Sequence, residues 1–259
     1  MAHEVDIATA RTLAGLRVVL LPGIPSPWGE AAKGILYVKG LAYTRAPSPP
    51  GGPVDELEDW TGQASAPVVA WEKEKPRSGW AEILHLAERL APEPALIPVD
   101  SAERVECLGI AHELMGEGGL CWNLRLAMVH DACGESPRGP MPAQVARPFG
   151  EKYGYTPEAG AAAESRARAQ IESLAGRLAA QRERGRRFLV GESLSAADLY
   201  SATSVALLRP LPPEQCPMPD FFRALYSSAS PELVAPADPL LFEHRDAVYG
   251  ELLELPMPL

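Results

Sequence analysis

The sequence predicts an α/β unit followed by an all-α unit, on three observations. Compact apolar runs alternate with helical stripes before residue 91. A proline-rich break, Ala91-Pro92-Glu93-Pro94 with a further proline at Pro98, then interrupts the chain, because helices end before prolines. Beyond that break the composition becomes helical. The boundary falls near residue 95, giving parts 1–94 and 95–259. At 259 residues, 46% of them apolar, the chain can bury one large core or two smaller ones, and two domains is the expectation.

The first element is Leu16 to Leu21, a partly β-branched apolar run ending at Pro22-Gly23, which reads as a buried strand and a turn. Ser26-Pro27-Trp28-Gly29-Glu30 then opens an apolar helix running into Lys39-Gly40. Ser26 can cap exposed N–H groups, and Pro27 takes the first helical position without losing a needed donor. On the residues alone, Ser26 is either a plain cap or a hydroxyl set at the mouth of the strand, where chemistry would sit. Leu41 to Arg45 is a second strand, Ala46 to Pro53 a proline and glycine loop, and Leu57 to Trp60 a short helical turn. Ala66 to Trp71 is a third strand with a proline near its entrance, and Glu72 to Lys75 a turn that can reverse the chain. Trp80, Ile83, Leu84, Leu86, Ala87 and Leu90 complete this part as a helical stripe.

In the second part, residues 101–133 read as one long helix weakened around Gly116, Gly118 and Gly119. Residues 134–157 read as loop, being rich in proline and glycine up to Gly154. Glu158 to Arg184 is the clearest helix, with Ile171, Leu174 and Leu178 on a face expected to pack against 101–133. Ser195-Ala196-Ala197-Asp198 is a capping sequence in which Asp198 can reach back to Ser195. The helix it starts is apolar through Leu199, Val205 and Leu208, so it is expected in the middle of a bundle.

A formal net charge of −10 disfavours nucleic acid and anionic membrane as partners, since either would repel the chain at long range. The one basic cluster, Arg182, Arg184, Arg186 and Arg187, lies at a helix C-terminus, where cations offset the dipole. Four cysteines without a CxxC pair fit a reducing compartment. The segment Met1 to Asp6 lacks the pattern of a secretory leader, and no run of about eighteen apolar residues occurs, so a cytoplasmic protein is expected. Cys107, His112, Cys121, His130 and Cys133 would spread around a helix, which argues against a metal site.

In order and spacing, these positions resemble the glutathione transferase superfamily over nearly the whole chain. Ser26-Pro27-Trp28, thirteen residues before Lys39-Gly40, is similar to the omega and zeta arrangement, in which a cysteine or serine opens the first helix. Ala66-Pro67-Val68 resembles the family's Val-Pro-hydrophobic element with its cis proline, and Ser195 to Asp198 resembles its buried helix cap. The resemblance implies a thioredoxin-like domain followed by an all-helical one, a homodimer, and glutathione as co-substrate. It further implies that Ser26 stabilises the glutathione thiolate, and that Ala66, presented by Pro67, pairs its main chain with the tripeptide. Arg77 and Ser78 would receive the γ-glutamyl carboxylate, although the family's usual acidic or polar residue before serine is here arginine. Trp28, Trp122 and Arg125 would line a pocket for a hydrophobic electrophile between the two domains, if those aromatics are not simply core. Serine in place of cysteine disfavours disulfide reduction and leaves conjugation, isomerisation or glutathione-dependent cleavage. The alternative is a non-catalytic transferase-like protein that binds a hydrophobic ligand or a protein partner.

Overall fold

The computed structural model describes residues 3–259; Met1 and Ala2, the start of the segment read for a leader, lie outside the described residues. The chain begins with β1 (His3–Glu4) and α1 (Ile7–Thr12), then β2 (Leu16–Leu20), α2 (Pro27–Val38), β3 (Thr44–Pro47), α3 (Asp55–Thr61), β4 (Val68–Trp71) and α4 (Trp80–Leu90). Neither β1 nor α1 was expected. Asp6 caps α1 by accepting from the Thr9 N–H at 2.7 Å, a signal present in the sequence but too short to carry weight there.

The strands form one sheet in the order β1-β3-β2-β4, with β2 parallel to β3 and antiparallel to β4. All five residues of β2 are buried, as a central strand covered on both faces requires. The second strand begins at Thr44, three residues later than its apolar pattern suggests. Gly40, at φ +64°, lets the chain close α2 with a bond from the Leu41 N–H to the Leu36 carbonyl at 2.9 Å, so Leu41 belongs to the helix end. After β4 the chain does reverse, with Arg77 forming a single two-bond bridge to Val69.

From Ser101 on, every element is helical: α5 (Ser101–Met115), α6 (Leu120–Ala132), α7 (Ala143–Glu151), α8 (Pro157–Glu183), α9 (Ala196–Val205), α10 (Asp220–Tyr226), α11 (Pro231–Val234) and α12 (Leu240–Leu252). Two expectations are corrected here. The single helix over 101–133 is two, because Gly118 at φ +74° breaks it and Asn123 holds the break by donating to the Gly118 carbonyl at 2.7 Å. The segment 134–157, expected as loop, contains α7. Its Ala146 and Gly150 are buried, and a Cβ on Gly150 would come within 2.9 Å of Val129 Cγ1. That close docking on α6 outweighs the poor helix propensity of Pro148 and Gly150.

Helix α8 packs along α6 as its apolar face predicts, and α9 runs through the middle, touching α2, α5 and α12. All ten residues of α9 are buried. Its first turn is held by the Asp198 carboxylate, which accepts from the Ser195 N–H at 3.0 Å, the Ser195 hydroxyl at 2.9 Å and the Leu189 N–H at 2.8 Å, and faces His244 Nε2 at 3.1 Å. The main buried cluster extends without interruption from β2 and α2 through α9 to α12, so the α/β and helical parts share one apolar core. No described helix is long and apolar enough to cross a membrane.

Candidate functional site

Past the C-terminal ends of β2 and β3, between the sheet part and α6, α7 and α10, lies a cavity of about 570 Å³. Ser26, Ala66, Pro67 and Ser78 line it from the α/β side, while Trp122 and Arg125 line it from the helical side, with Trp28 also in the wall. Thus residues far apart in sequence share one concave space, at the strand ends where parallel sheets place their sites.

Ser26 is the N-cap residue of α2 with extended backbone, but its hydroxyl makes no capping hydrogen bond. The cap is made by its main chain, whose carbonyl accepts from the Glu30 N–H at 2.7 Å. The side chain, 7% exposed, is left to the cavity, so the plain-cap role is not the one it fills. Pro27 brings no N–H, and the N–H groups of Trp28 and Gly29 precede the first intrahelical acceptors, which leaves the positive end of a twelve-residue helix beside the hydroxyl.

The Ala66–Pro67 peptide is cis, and no backbone hydrogen bond engages Ala66 among the described residues. An extended peptide lying in the cavity would therefore meet an unpaired N–H and C=O. Ser78 stands one residue before Gly79, the N-cap of α4. The helix itself begins at Trp80, and the Gly79 N–H is already taken by Glu82 Oε2 at 3.2 Å. Of this segment, Ser78 reaches the cavity and Gly79 does not.

Arg77 is not brought to the site. Its main chain is fixed by the bridge to Val69, and its guanidinium pairs with Glu74 at 2.5 Å, a carboxylate that also receives Arg89 at 2.6 Å. The hydrogen bonds from Arg89 and Arg77 hold the Glu74 carboxyl below its usual range. The expected carboxylate ligand is thus spent on a structural ion-pair cluster away from the cavity.

The helical wall centres on Tyr153, which sequence reasoning missed. Its ring stacks 6.2 Å from Trp28, meets Trp122 edge-on at 5.0 Å and lies 5.1 Å from Phe149. Trp122 donates its indole N–H to the Tyr153 carbonyl at 3.1 Å, and Trp28 donates to the Met115 carbonyl at 2.9 Å, tying α2 to the end of α5. Arg125 donates to the Tyr226 hydroxyl at 3.1 Å. Phe149, Lys152 and Tyr153 lie in the segment read as loop, where the spacing of Val145 and Phe149, four apart, was the one available signal.

None of the four cysteines, all free, lines the cavity. Burial pushes the Cys121 thiol up to about 12 and the Cys216 thiol to about 11, and raises Cys107 as well. Only Cys133 is partly exposed. Brief alkylation with iodoacetamide at neutral pH is therefore expected to label Cys133 alone in the folded protein and all four in denaturant, as peptide mass spectrometry would show; labelling of Cys121 in the folded state would contradict its burial.

No family model and no curated protein matches the chain significantly. Solved structures do. A glutathione S-transferase domain-containing protein from Marinobacter aquaeolei VT8 superposes at a TM-score of 0.63 and 18% identity, covering 91% of this chain and 98% of that one. A glutathione S-transferase from Methylobacterium radiotolerans JCM 2831, in complex with glutathione sulfonate, gives 0.58 at 16% identity over 89% and 93% of the two chains. Ure2p in complex with glutathione gives 0.58 at 14% identity over 86% and 99%. The chain accordingly has the glutathione transferase fold, a thioredoxin-like part followed by a helical part.

Proposed function

We propose that the chain is a glutathione transferase in which residues 1–94 bind the tripeptide, residues 95–259 form the all-α domain, and Ser26 activates the thiol. The observation that carries this reading is the Ser26 hydroxyl, free of its cap bond, on one cavity with the unpaired main chain of Ala66. Two of the similar structures hold glutathione or its sulfonate, which supports glutathione as the co-substrate here. Because no cysteine of the chain reaches the cavity, the attacking sulfur comes from a bound thiol.

In this mechanism the cysteinyl main chain of glutathione pairs with the Ala66 N–H and C=O as an added strand would, and Ser78 receives the γ-glutamyl end. That places the sulfur at Ser26. A free thiol titrates near pH ~8.5, so at neutral pH most of it is protonated. Donation from the Ser26 hydroxyl and the positive end of α2 both favour the thiolate, with the proton passing to solvent. The thiolate then attacks an electrophilic carbon held against the aromatic wall of Trp28, Trp122 and Tyr153, and the leaving group departs with its electron pair. The hydroxyl stabilises an anion and is not itself the nucleophile, so no histidine base is needed. A homodimer and a cytoplasmic location belong to the same proposal.

The test is calorimetric titration with glutathione together with glutathione-dependent turnover of 1-chloro-2,4-dinitrobenzene. Saturable binding with turnover is the expected result. Absence of binding overturns the proposal, and binding without turnover replaces it with the non-catalytic binder.

A further inference from the structure

The chain carries a formal net charge of −10, yet no aspartate or glutamate lines the cavity, while Arg125 and Lys152 both do. Arg125 is 5% exposed. Its guanidinium donates to the Tyr226 hydroxyl at 3.1 Å and to the Met128 sulfur at 3.9 Å, lies 5.2 Å from the Tyr226 ring centroid, and leaves its buried Nε without any partner. A phenol oxygen and a thioether do not neutralise a buried cation, and nature rarely leaves one uncompensated. Among the described residues neither Arg125 nor Lys152 makes an ion pair, whereas the buried Lys33 and Lys39 pair with Glu30 and Glu88.

Both cations sit on the helical side, with the aromatic groups and away from Ser26, Ala66 and Ser78 in sequence and element. Arg125 projects from α6 near Tyr226, and the ammonium of the exposed Lys152 stands 5.7 Å from the Tyr153 ring centroid. A flat apolar body would lie on Tyr153 and Phe149, and an anionic group on it would offset the charge of the guanidinium.

We infer that the second substrate is a flat apolar acid: an electrophile bearing a carboxylate or sulfonate that Arg125 receives, with the exposed Lys152 of the same wall adding its charge. This deepens the transferase reading and rests on it for the chemistry, but the recognition can be measured separately.

Two chloroarenes with the same leaving group serve as probes, neutral 1-chloro-2,4-dinitrobenzene and anionic 4-chloro-3,5-dinitrobenzoate. In each the glutathione sulfur bonds to the ring carbon, the carbon–chlorine bond breaks, and chloride leaves with the electron pair. After division by the uncatalysed rates, kcat/KM is expected to favour the benzoate by at least about tenfold, the lower end of what a charge-assisted hydrogen bond contributes. Arg125→Gln and, more weakly, Lys152→Gln should shrink that ratio; Lys152 is exposed, so its variant remains informative if the Arg125 variant does not fold. A ratio unmoved in Lys152→Gln and in any folded Arg125 variant overturns the inference. So does a rise in the KM for glutathione with the ratio intact, which would put the cations on the tripeptide. Should no turnover occur at all, binding of the fluorescent pair 8-anilinonaphthalene-1-sulfonate and N-phenyl-1-naphthylamine still decides: the proposed chemistry fails while a sulfonate preference that falls in the variants upholds the anion site, and an unchanged preference removes it.

Discussion

Replacing Ser26 with alanine is expected to lower kcat/KM for glutathione conjugation about a hundredfold, the usual cost of removing one donor aimed at a developing or full negative charge. Glutathione affinity should change by less than about threefold, because in the proposed mechanism the tripeptide's main chain pairs with Ala66 and the hydroxyl acts on the thiolate alone. Ultraviolet titration of the bound thiol would show its pKa moving upward in the variant. Stability should be nearly unchanged. Loss of an N-cap side chain ordinarily costs about 1 kcal/mol, but Ser26 makes no such bond, so there is none to lose. A variant with the rate of the unmodified protein would remove Ser26 from the mechanism and leave activation to the N–H groups at the start of α2.

The second large effect is on folding. Asp198→Ala is expected to destabilise the protein by roughly 4 kcal/mol, since each buried group stripped of its partner costs about 1–3 kcal/mol and the losses are not additive. Its carboxylate is fully buried and serves Leu189, Ser195 and His244 at once, so the loop before α9, the start of α9 and α12 lose their common partner. For a chain of this size that corresponds to a fall in Tm of about 10 °C, measurable by calorimetry or circular dichroism. Asp198→Asn, which keeps one acceptor oxygen, should fall between the two. Because α9 packs against α2, the helix that Ser26 caps, weakening its first turn is also expected to loosen the support of that helix. A drop of under about 2 °C in the alanine variant would mean that water or neighbouring groups replace the carboxylate.

Much of the arrangement was legible because its signals are short-range. A serine followed by proline, a β-branched apolar run ending at Pro22-Gly23, and a serine three residues before an aspartate each express bonds made within a few residues. The stripe Ile171, Leu174, Leu178 announces its buried face by period alone, and all three are buried. What escaped depends on contacts between distant segments. Helix α7 exists because Ala146 and Gly150 fit closely against α6, a fact about two surfaces that no window of sequence contains. Arg77 was assigned to a ligand by its place in the chain, but the strand bridge to Val69 and the pull of Glu74 turn it elsewhere.

By itself the sequence determined the class of fold, the position of the helix that opens at Ser26, and the cap at Ser195 to Asp198, because propensity, periodicity and local hydrogen bonds act over one or two turns. The tertiary structure alone decided that the Ser26 hydroxyl gives up its cap bond, that Tyr153 gathers three aromatic rings, and that Arg125 and Lys152 share a cavity without a single carboxylate. Those outcomes depend on which surfaces meet, and on the burial and charge that each group then experiences.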